Sequence, residues 1–290
     1  MIARKCKSAA VVLLAVGACV FFNKEVAGPV EGDPLAVTVG GLQFEGVSMT
    51  HFLNGTGELP DGLDLVVWPE YSVPFDIRAN KRDWKLVTDL CRDRGITLVF
   101  GTKAEPDPEQ GWRNIALTVD PTGVLGEHTK VHGVHFFDDG TPGKDKLPVK
   151  TGHGKVGTPI CFDADYEDVV RGMTAAGAEM IVIPTMDAEQ WTARQHDQHA
   201  ELSRMRACEN GRWIFVVATS GVSQIIDPNG HLHARLDALK QGAITGVLKR
   251  ETGLTFYTRA GWLVPWCVLA SATVIWILLL IPVREKKDTF

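Results

Sequence analysis

Three side chains with complementary chemistry follow strand-like or turn segments of this sequence. Glu70 comes directly after the apolar residues 65–69, and Cys161 follows residues 156–160. Lys130 lies between them, after a predicted hairpin. A thiolate can attack a carbonyl to form a thioester, and a carboxylate can take the thiol proton. An ammonium can stabilise the resulting oxyanion, so the three residues together would support acyl transfer.

Each of these residues also has an ordinary explanation when it is considered alone. Glu70 could be a solvated loop glutamate and Lys130 a surface lysine, since charged residues are mostly exposed. Cys161 could be a small buried hydrophobic residue, because free cysteine is among the most buried residue types. The chemistry therefore depends on a fold that brings the three together.

The segments between residues 33 and 256 alternate between β-rich apolar runs and amphipathic ones. Strands are predicted over residues 35–44, 63–68, 96–100, 115–119, 156–161, 180–184, 213–219, 223–226 and 243–248, and helices over 79–94, 166–176 and 190–210. The Asp-Pro-x-Gly sequences at 120–123 and 227–230 predict hairpin turns. Strands that alternate with helices and include a few hairpins indicate an α/β fold with a mixed sheet.

The order and setting of the three reactive residues resemble the nitrilase superfamily. The resemblance is carried by residues 65–70, by Lys130 and by residues 157–163. It is closest to the extracytoplasmic domain of the apolipoprotein N-acyltransferase family, which has a helix similar to 198–212 and an Ile-Asp-Pro-Asn-Gly-type hairpin like that at 226–230. The resemblance implies a nitrilase-type α-β-β-α sandwich with mixed sheets.

This family resemblance implies one catalytic domain over residues 33–256 and a role for each catalytic residue. Glu70 would be the general base, Cys161 the nucleophile, and Lys130 the cation that holds the thiolate and then the oxyanion. Transfer and hydrolysis differ only in whether an amine or water attacks the thioester. No cofactor is implied.

Three further residues are predicted to support the site. The backbone N–H of Phe162, directly after the nucleophile, is the natural second oxyanion donor. Asp138 lies eight positions beyond Lys130, where the family carries a second glutamate that orients the lysine and the base. Asp163 matches another acidic position of the family, which is also normally glutamate.

Metal, disulfide and nucleic-acid functions are not favoured by the sequence. The six cysteines include no CxxC pair, and His196 and His199 have no evident third ligand, so no metal is expected. A net charge of −5 with scattered basic residues gives no basic stripe for a phosphate backbone, so nucleic acid is not an expected partner.

Both ends of the chain contain apolar segments that predict contact with a membrane. Residues 1–24 have the anatomy of a signal anchor; lipidation of Cys19 and cleavage as an ordinary signal are the alternatives. Residues 261–283 are uncharged and long enough for a transmembrane helix, which needs about 20 residues. They precede a basic cytoplasmic tail, 284–290. The positive-inside rule then places the catalytic domain on the periplasmic or extracytoplasmic side of the cell membrane, with both termini cytoplasmic if the first segment is not cleaved.

These features lead to three functional hypotheses. The leading one is a membrane-anchored N-acyltransferase that uses a membrane lipid, such as a phospholipid, as acyl donor and an apolipoprotein or another amine as acceptor. The others are an amidase acting on a soluble amide and a catalytically idle scaffold domain. Family members place several membrane helices ahead of this domain, whereas this chain has one short segment there, and residues 131–137 and 189–190 also depart from the family pattern.

Overall fold

Two mixed β-sheets form the centre of the structure, a computed structural model that describes residues 33–105 and 111–280. The strands in chain order are β1 (Ala36–Gln43), β2 (Leu65–Val67), β3 (Thr97–Ala104), β4 (Arg113–Asp120), β5 (Gly123–Thr129), β6 (Val149–Thr151), β7 (Gly154–Gly157), β8 (Met180–Thr185), β9 (Ile214–Ala218), β10 (Ser223–Ile226), β11 (Leu232–Leu236) and β12 (Gly242–Lys249). The first sheet has the order β12-β1-β2-β3-β4-β5, and the second has the order β11-β10-β9-β8-β7-β6.

Helices cover the outer faces of both sheets. On the first sheet these are α1 (Met49–Glu58) and α2 (Lys81–Arg94), and on the second they are α3 (Glu167–Ala175) and α4 (Ala193–Asn210). Two further helices follow the last strand, α5 (Phe256–Ala260) and α6 (Val264–Leu280). Phe52 of α1 and Val87 of α2 are buried in the core cluster on the outer face of the first sheet. Val169 of α3 and Ala207 of α4 are buried in the corresponding cluster of the second sheet. The predicted α-β-β-α sandwich is therefore confirmed.

A third core cluster lies between the two sheets. It combines residues from the first sheet, among them Val37, Val67 and Val99, with residues from the second, among them Val156, Val182 and Phe215. Burial of this apolar surface is the main force that holds the sheets together.

The strands at the centre of each sheet run parallel, and this arrangement positions the reactive residues. In the first sheet β2 pairs with β1 and β3 in parallel, and in the second β8 pairs with β7 and β9 in parallel. Glu70 lies just beyond the carboxyl end of β2, and Cys161 lies beyond the carboxyl end of β7. Loops at this end of α/β sheets commonly carry binding sites.

The structure corrects two local predictions. The strand expected over 156–161 ends at Gly157, and Cys161 begins a 3-10 turn, Cys161–Ala164, with a φ of 46°. Pro159 explains the early end, because proline cannot donate the hydrogen bond that a central strand needs. Helix α1 was not predicted, since its Gly55 and Gly57 disfavour a helix on propensity alone.

The C-terminal helix leaves its apolar surface uncovered. Among the described residues, the stretch Phe256–Ile277, 22 residues long, is the one long and apolar enough to cross a membrane, and only 6% of its most apolar window is buried. It overlaps the predicted span 261–283. Residues 1–24 and the tail 284–290 lie outside the described residues, so the N-terminal anchor and the tail stay predictions.

Candidate active site

Glu70 is fixed against the backbone of β3. A Cβ atom added to Gly101 would lie 2.4 Å from Glu70 Cα and 2.6 Å from the backbone nitrogen of Tyr71, so only glycine lets the two segments approach this closely. Glu70 is 1% exposed. The buried Glu70 is therefore fixed in position by close packing of its backbone against β3.

The Glu70 carboxylate is fully paired. Its Oε1 accepts hydrogen bonds from Lys130 Nζ at 2.9 Å and from Asn114 Nδ2 at 2.7 Å. Its Oε2 accepts the backbone N–H of Met186 at 2.9 Å. These bonds fix the position of both carboxylate oxygens.

Lys130 lies between two carboxylates. Its ammonium donates to Glu70 and, at 3.1 Å, to Oδ2 of Asp139, and the side chain is 3% exposed. Burial by itself would lower the pKa of Lys130, but the neighbouring acidic groups, Glu70 first among them, raise it well above its ordinary value. Lys130 is therefore a fixed cation in the cavity that Cys161 also lines.

Cys161 lies in a strained turn at the bottom of the site. Its φ of 46° is in the left-handed region, which non-glycine residues rarely adopt and which is often found at functional sites. The residue is 3% exposed, and its Sγ donates to the carbonyl of Met186 at 3.7 Å. Burial and the nearby Glu70 raise the pKa of the Cys161 thiol well above its ordinary value, while Lys130 opposes this shift.

Asp163 holds the turn that carries Cys161. It is fully buried, and its Oδ2 accepts the backbone N–H of Ile160 at 3.0 Å and pairs with His128 Nε2 at 3.1 Å. Its Oδ1 accepts the backbone N–H groups of Val131 and His132, at 2.9 and 2.8 Å. Asp163 therefore ties the Cys161 turn to the segment that follows Lys130.

Asp138 lines the cavity, but the acid that bonds Lys130 is Asp139. A supporting role for Asp138 stays a prediction. Asp138 accepts from Trp112 Nε1 at 3.2 Å, whereas Asp139 bonds Lys130, the Tyr71 hydroxyl at 2.8 Å and the backbone of Val134 at 2.7 Å. Consecutive residues in this loop point in different directions, and the second acid is the one turned inward. Burial alone would raise the pKa of Asp139, but Lys130 and the hydrogen bonds from Val134 and Tyr71 hold it below its ordinary value.

Glu70, Lys130 and Cys161 line one cavity of about 270 Å³. Its walls are largely aromatic and apolar and include Tyr71, Trp112, Phe137, Met186 and Trp191. The structure thus brings the three predicted residues to one cavity. Phe162 follows Cys161 in the turn, with its ring edge-on to Tyr166 at a centroid distance of 5.3 Å; its role as an oxyanion donor stays a prediction.

Two hydrogen-bond partners of Glu70 and Lys130 were not found from the sequence. Asn114 bonds both Glu70 and the Tyr71 hydroxyl, the latter at 2.8 Å. It is a polar residue directly before the predicted strand 115–119, and that position does not indicate that its side chain points towards Glu70. Asp139 stands beside the predicted Asp138, so only the loop geometry distinguishes the two.

The two histidines of α4 pack behind the site. His199 pairs with Asp187 through Nδ1 at 2.7 Å and with Asp165 through Nε2 at 3.1 Å. His196 is buried, 3.9 Å from Oδ2 of Asp187. Potential ligand atoms of Cys161, Asp187 and His199 lie within 4.8 Å of one another, an arrangement of the kind that can hold a metal ion. Burial opposes a charge on His199, but Asp187 and Asp165 raise its pKa to about 10, so the ring is better described as a protonated partner of two carboxylates than as a ligand.

The chain is similar in sequence to known proteins. Residues 51–254 match the carbon-nitrogen hydrolase family model. The chain is 29% identical over 236 residues to an apolipoprotein N-acyltransferase of Geobacter metallireducens, an alignment that covers 73% of this chain and 45% of the relative. The chain thus spans less than half the length of this curated relative.

Solved structures share the fold. Saccharomyces cerevisiae Nit3, a member of branch 10 of the nitrilase superfamily, superposes with a TM-score of 0.64 at 18% identity, over 88% of this chain and 97% of the yeast chain. An amidase from Nesterenkonia sp. superposes with a TM-score of 0.62 at 22% identity, over 79% of this chain and 96% of the amidase chain.

Proposed function

This chain belongs to the carbon-nitrogen hydrolase family, and from that premise we propose that it is a membrane-anchored N-acyltransferase that works through a thioester on Cys161. The observation that carries the proposal is the Lys130 ammonium, 2.9 Å from Glu70 in a cavity that Cys161 also lines. A base, a fixed cation and a thiol in one buried space are what acyl transfer through sulfur needs.

Each proton in the proposed reaction is carried by Glu70. The carboxylate takes the proton of Cys161 as Sγ attacks the acyl carbonyl carbon, and the oxyanion forms beside Lys130 and the backbone N–H of Phe162. The tetrahedral adduct collapses, Glu70 returns the proton to the leaving group, and the thioester remains. The acceptor amine then gives a proton to Glu70 as its nitrogen attacks the thioester carbon. The second adduct collapses, the bond from carbon to Sγ breaks, Glu70 returns the proton to Sγ, and the amide is released.

Water exclusion makes the fixed charges effective. Glu70, Lys130 and Cys161 are each no more than 3% exposed. Charges in such a site act through a lower effective dielectric constant than in water and need no reorganisation during the reaction. The high pKa of the Cys161 thiol means that the thiolate forms only as Glu70 takes the proton, which protects the nucleophile between turnovers.

An amine acceptor and a lipid donor are favoured by two observations. The curated relative is named for N-acyl transfer to apolipoprotein. The stretch Phe256–Ile277 exposes an apolar surface that suits a bilayer and would hold the domain near lipid. We infer a location at the cell membrane, with the catalytic domain on the periplasmic or extracytoplasmic face.

Hydrolysis of a small amide is the second candidate, and the size of the cavity favours it. About 270 Å³ lies just below the usual range of ligand pockets, roughly 300–1,000 Å³, and suits a short acyl group better than a whole lipid chain. The same three residues would serve, with water as the attacking group.

The test compares acceptors on the full-length protein in membranes. The protein is supplied with phospholipid and a diacylglyceryl peptide, or with a short amide, and the peptide, fatty acid and ammonia are followed by mass spectrometry and a colorimetric assay. We expect acylated peptide from wild type and from Cys208→Ala, whose thiol is exposed, and none from Cys161→Ala. Ammonia or free fatty acid without acylated peptide would replace transfer by hydrolysis. No product with any substrate would leave the scaffold hypothesis.

A further inference from the structure

One of the two lysines that line the cavity has no part in the mechanism described above. Lys103 lines the same cavity as Glu70, Lys130 and Cys161 and is half-buried. It is the only residue of β3 that is not fully buried. A lysine at such a position needs an explanation, because partial burial of an ammonium is costly unless something interacts with it.

The register of β3 aims Lys103 at the catalytic residues. Successive side chains of a strand point to opposite faces, so Lys103 shares its face with Gly101, where an added Cβ would lie 2.4 Å from Glu70 Cα. Its cross-strand partner on β4 is Asn114, which donates to Glu70. Residues opposite each other in an antiparallel pair lie on the same face. Lys103 therefore lies on the face of the sheet that contacts Glu70, two residues beyond Gly101 on β3.

Aromatic rings hold this ammonium without neutralising it. Lys103 Nζ lies 4.1 Å from the ring centroid of Trp112 and 5.9 Å from that of Tyr71. Within residues 33–105 and 111–280 it has neither a hydrogen bond nor a carboxylate at ion-pair distance. Lys130, by contrast, is paired with both Glu70 and Asp139. Of the two cavity lysines, Lys103 is the one whose charge is left for a ligand.

We propose that Lys103 binds an anionic oxygen of the substrate, next to the scissile carbonyl, and so selects acyl donors that carry a negative charge. The inference rests on the proposed acyl transfer and names the substrate class. Two donors share the required chemistry: a glycerophospholipid, through its phosphodiester, and a small acidic amide, through its carboxylate. An ammonium donates well to either group, and Trp112 and Tyr71 keep it in place while shielding it from water.

The test measures selectivity between matched donors that differ in this charge. One pair is phosphatidylglycerol and diacylglycerol, and the other is succinamate and butyramide. The readout is the ratio of kcat/KM for the charged member to kcat/KM for the neutral member, which cancels any general loss of activity. We expect Lys103→Met to lower the ratio about tenfold, which corresponds to about 1.4 kcal/mol. Lys103→Arg should retain most of it, and Lys150→Met, on the exposed face of β6, should leave it unchanged.

The two donor pairs show which anionic group Lys103 binds, and the ratio distinguishes a failure of the Lys103 proposal from a failure of the proposed acyl transfer. A ratio that falls only for the lipid pair assigns the phosphodiester, and one that falls only for the amide pair assigns the carboxylate. An unchanged ratio in Lys103→Met for both pairs overturns the proposal while leaving acyl transfer intact.

A second measurement needs no turnover. Glycerol 3-phosphate or succinate should slow alkylation of Cys161 by iodoacetamide in wild type more than in Lys103→Met, and uncharged glycerol should not. Equal protection in both proteins would overturn the role of Lys103, even if the wild-type chain acts on none of the four substrates and the proposed function fails.

Discussion

Gly101 allows β3 to pack closely against the backbone of Glu70, and replacing it with alanine should reduce turnover much more than stability. The new Cβ would lie 2.4 Å from Glu70 Cα and 2.8 Å from its carbonyl carbon, both backbone atoms that cannot rotate away. Ordinary contact begins near 3.4 Å, so the segment carrying Glu70 must move by about 1 Å. A displacement of that size at a catalytic group is worth about 100-fold in rate.

The same substitution should cost only moderate stability. Overpacking of a core typically costs about 1–3 kcal/mol, and each kcal/mol lowers Tm by about 2–4 °C in a domain of this size. We therefore expect Gly101→Ala to fold, with a Tm lowered by several degrees, and to lose about 99% of turnover. Thermal unfolding followed by circular dichroism, together with kcat/KM on the best substrate, measures both effects.

Gly57→Ala is the matched control. A Cβ at Gly57, within α1, meets nothing within 4 Å, and alanine is favoured over glycine in a helix by about 1 kcal/mol. Its Tm should rise slightly and its turnover should not change. A folded Gly101→Ala protein with wild-type kcat/KM would refute the view that close backbone packing positions Glu70.

Three more predictions follow from the site. Glu70→Gln should abolish turnover and yet lower the pKa of the Cys161 thiol, since the Glu70 charge raises it, so the pH profile of iodoacetamide labelling should shift to lower pH; a shift to higher pH would contradict the assignment. Asp139→Asn should lose at least tenfold in kcat/KM, about 1.4 kcal/mol, because it removes a charged partner of Lys130. Asp138→Asn should keep a kcat/KM close to wild type. A larger loss in Asp138→Asn than in Asp139→Asn would instead make Asp138 the acid that holds Lys130. The folded-state pKa of His199 is raised to about 10, so the stability that this residue contributes is complete below its unfolded pKa near 6.5 and is lost as pH rises towards 10. In urea titrations, wild type should therefore lose more unfolding free energy than His199→Gln between pH 6 and pH 10. Parallel curves would contradict the ion pair with Asp187 and Asp165.

The parts of the fold that follow from local pattern could be predicted from the sequence. Continuous apolar runs such as Leu65–Val67 predict buried parallel strands, and Gly95 marks the end of α2, where the structure has a φ of 66°. The α-β-β-α layering came from the family resemblance, because periodicity alone does not say how two sheets pack. Helix α1 was missed because its burial through Phe52 and Thr56 outweighs the weak helix propensity of its glycines.

The composition of the site was harder to predict than its central residues. Glu70, Lys130 and Cys161 stand in recognisable local settings, whereas Asp139 differs from Asp138 only in the direction that the loop gives its side chain. Asn114 reaches Glu70 because β4 pairs with β3 in a register that brings it opposite Lys103. Such contacts depend on strand pairing between distant segments, which is not contained in any short motif.

The central claim is that acyl groups pass through a thioester on Cys161. Intact-protein and peptide mass spectrometry of the full-length protein, quenched in acid during turnover, tests it most directly. We predict one acyl mass on the peptide that contains Cys161, removed by neutral hydroxylamine, and no adduct or turnover in Cys161→Ala. Continued turnover by Cys161→Ala, or an acyl group found on another residue such as Cys208, would contradict the claim.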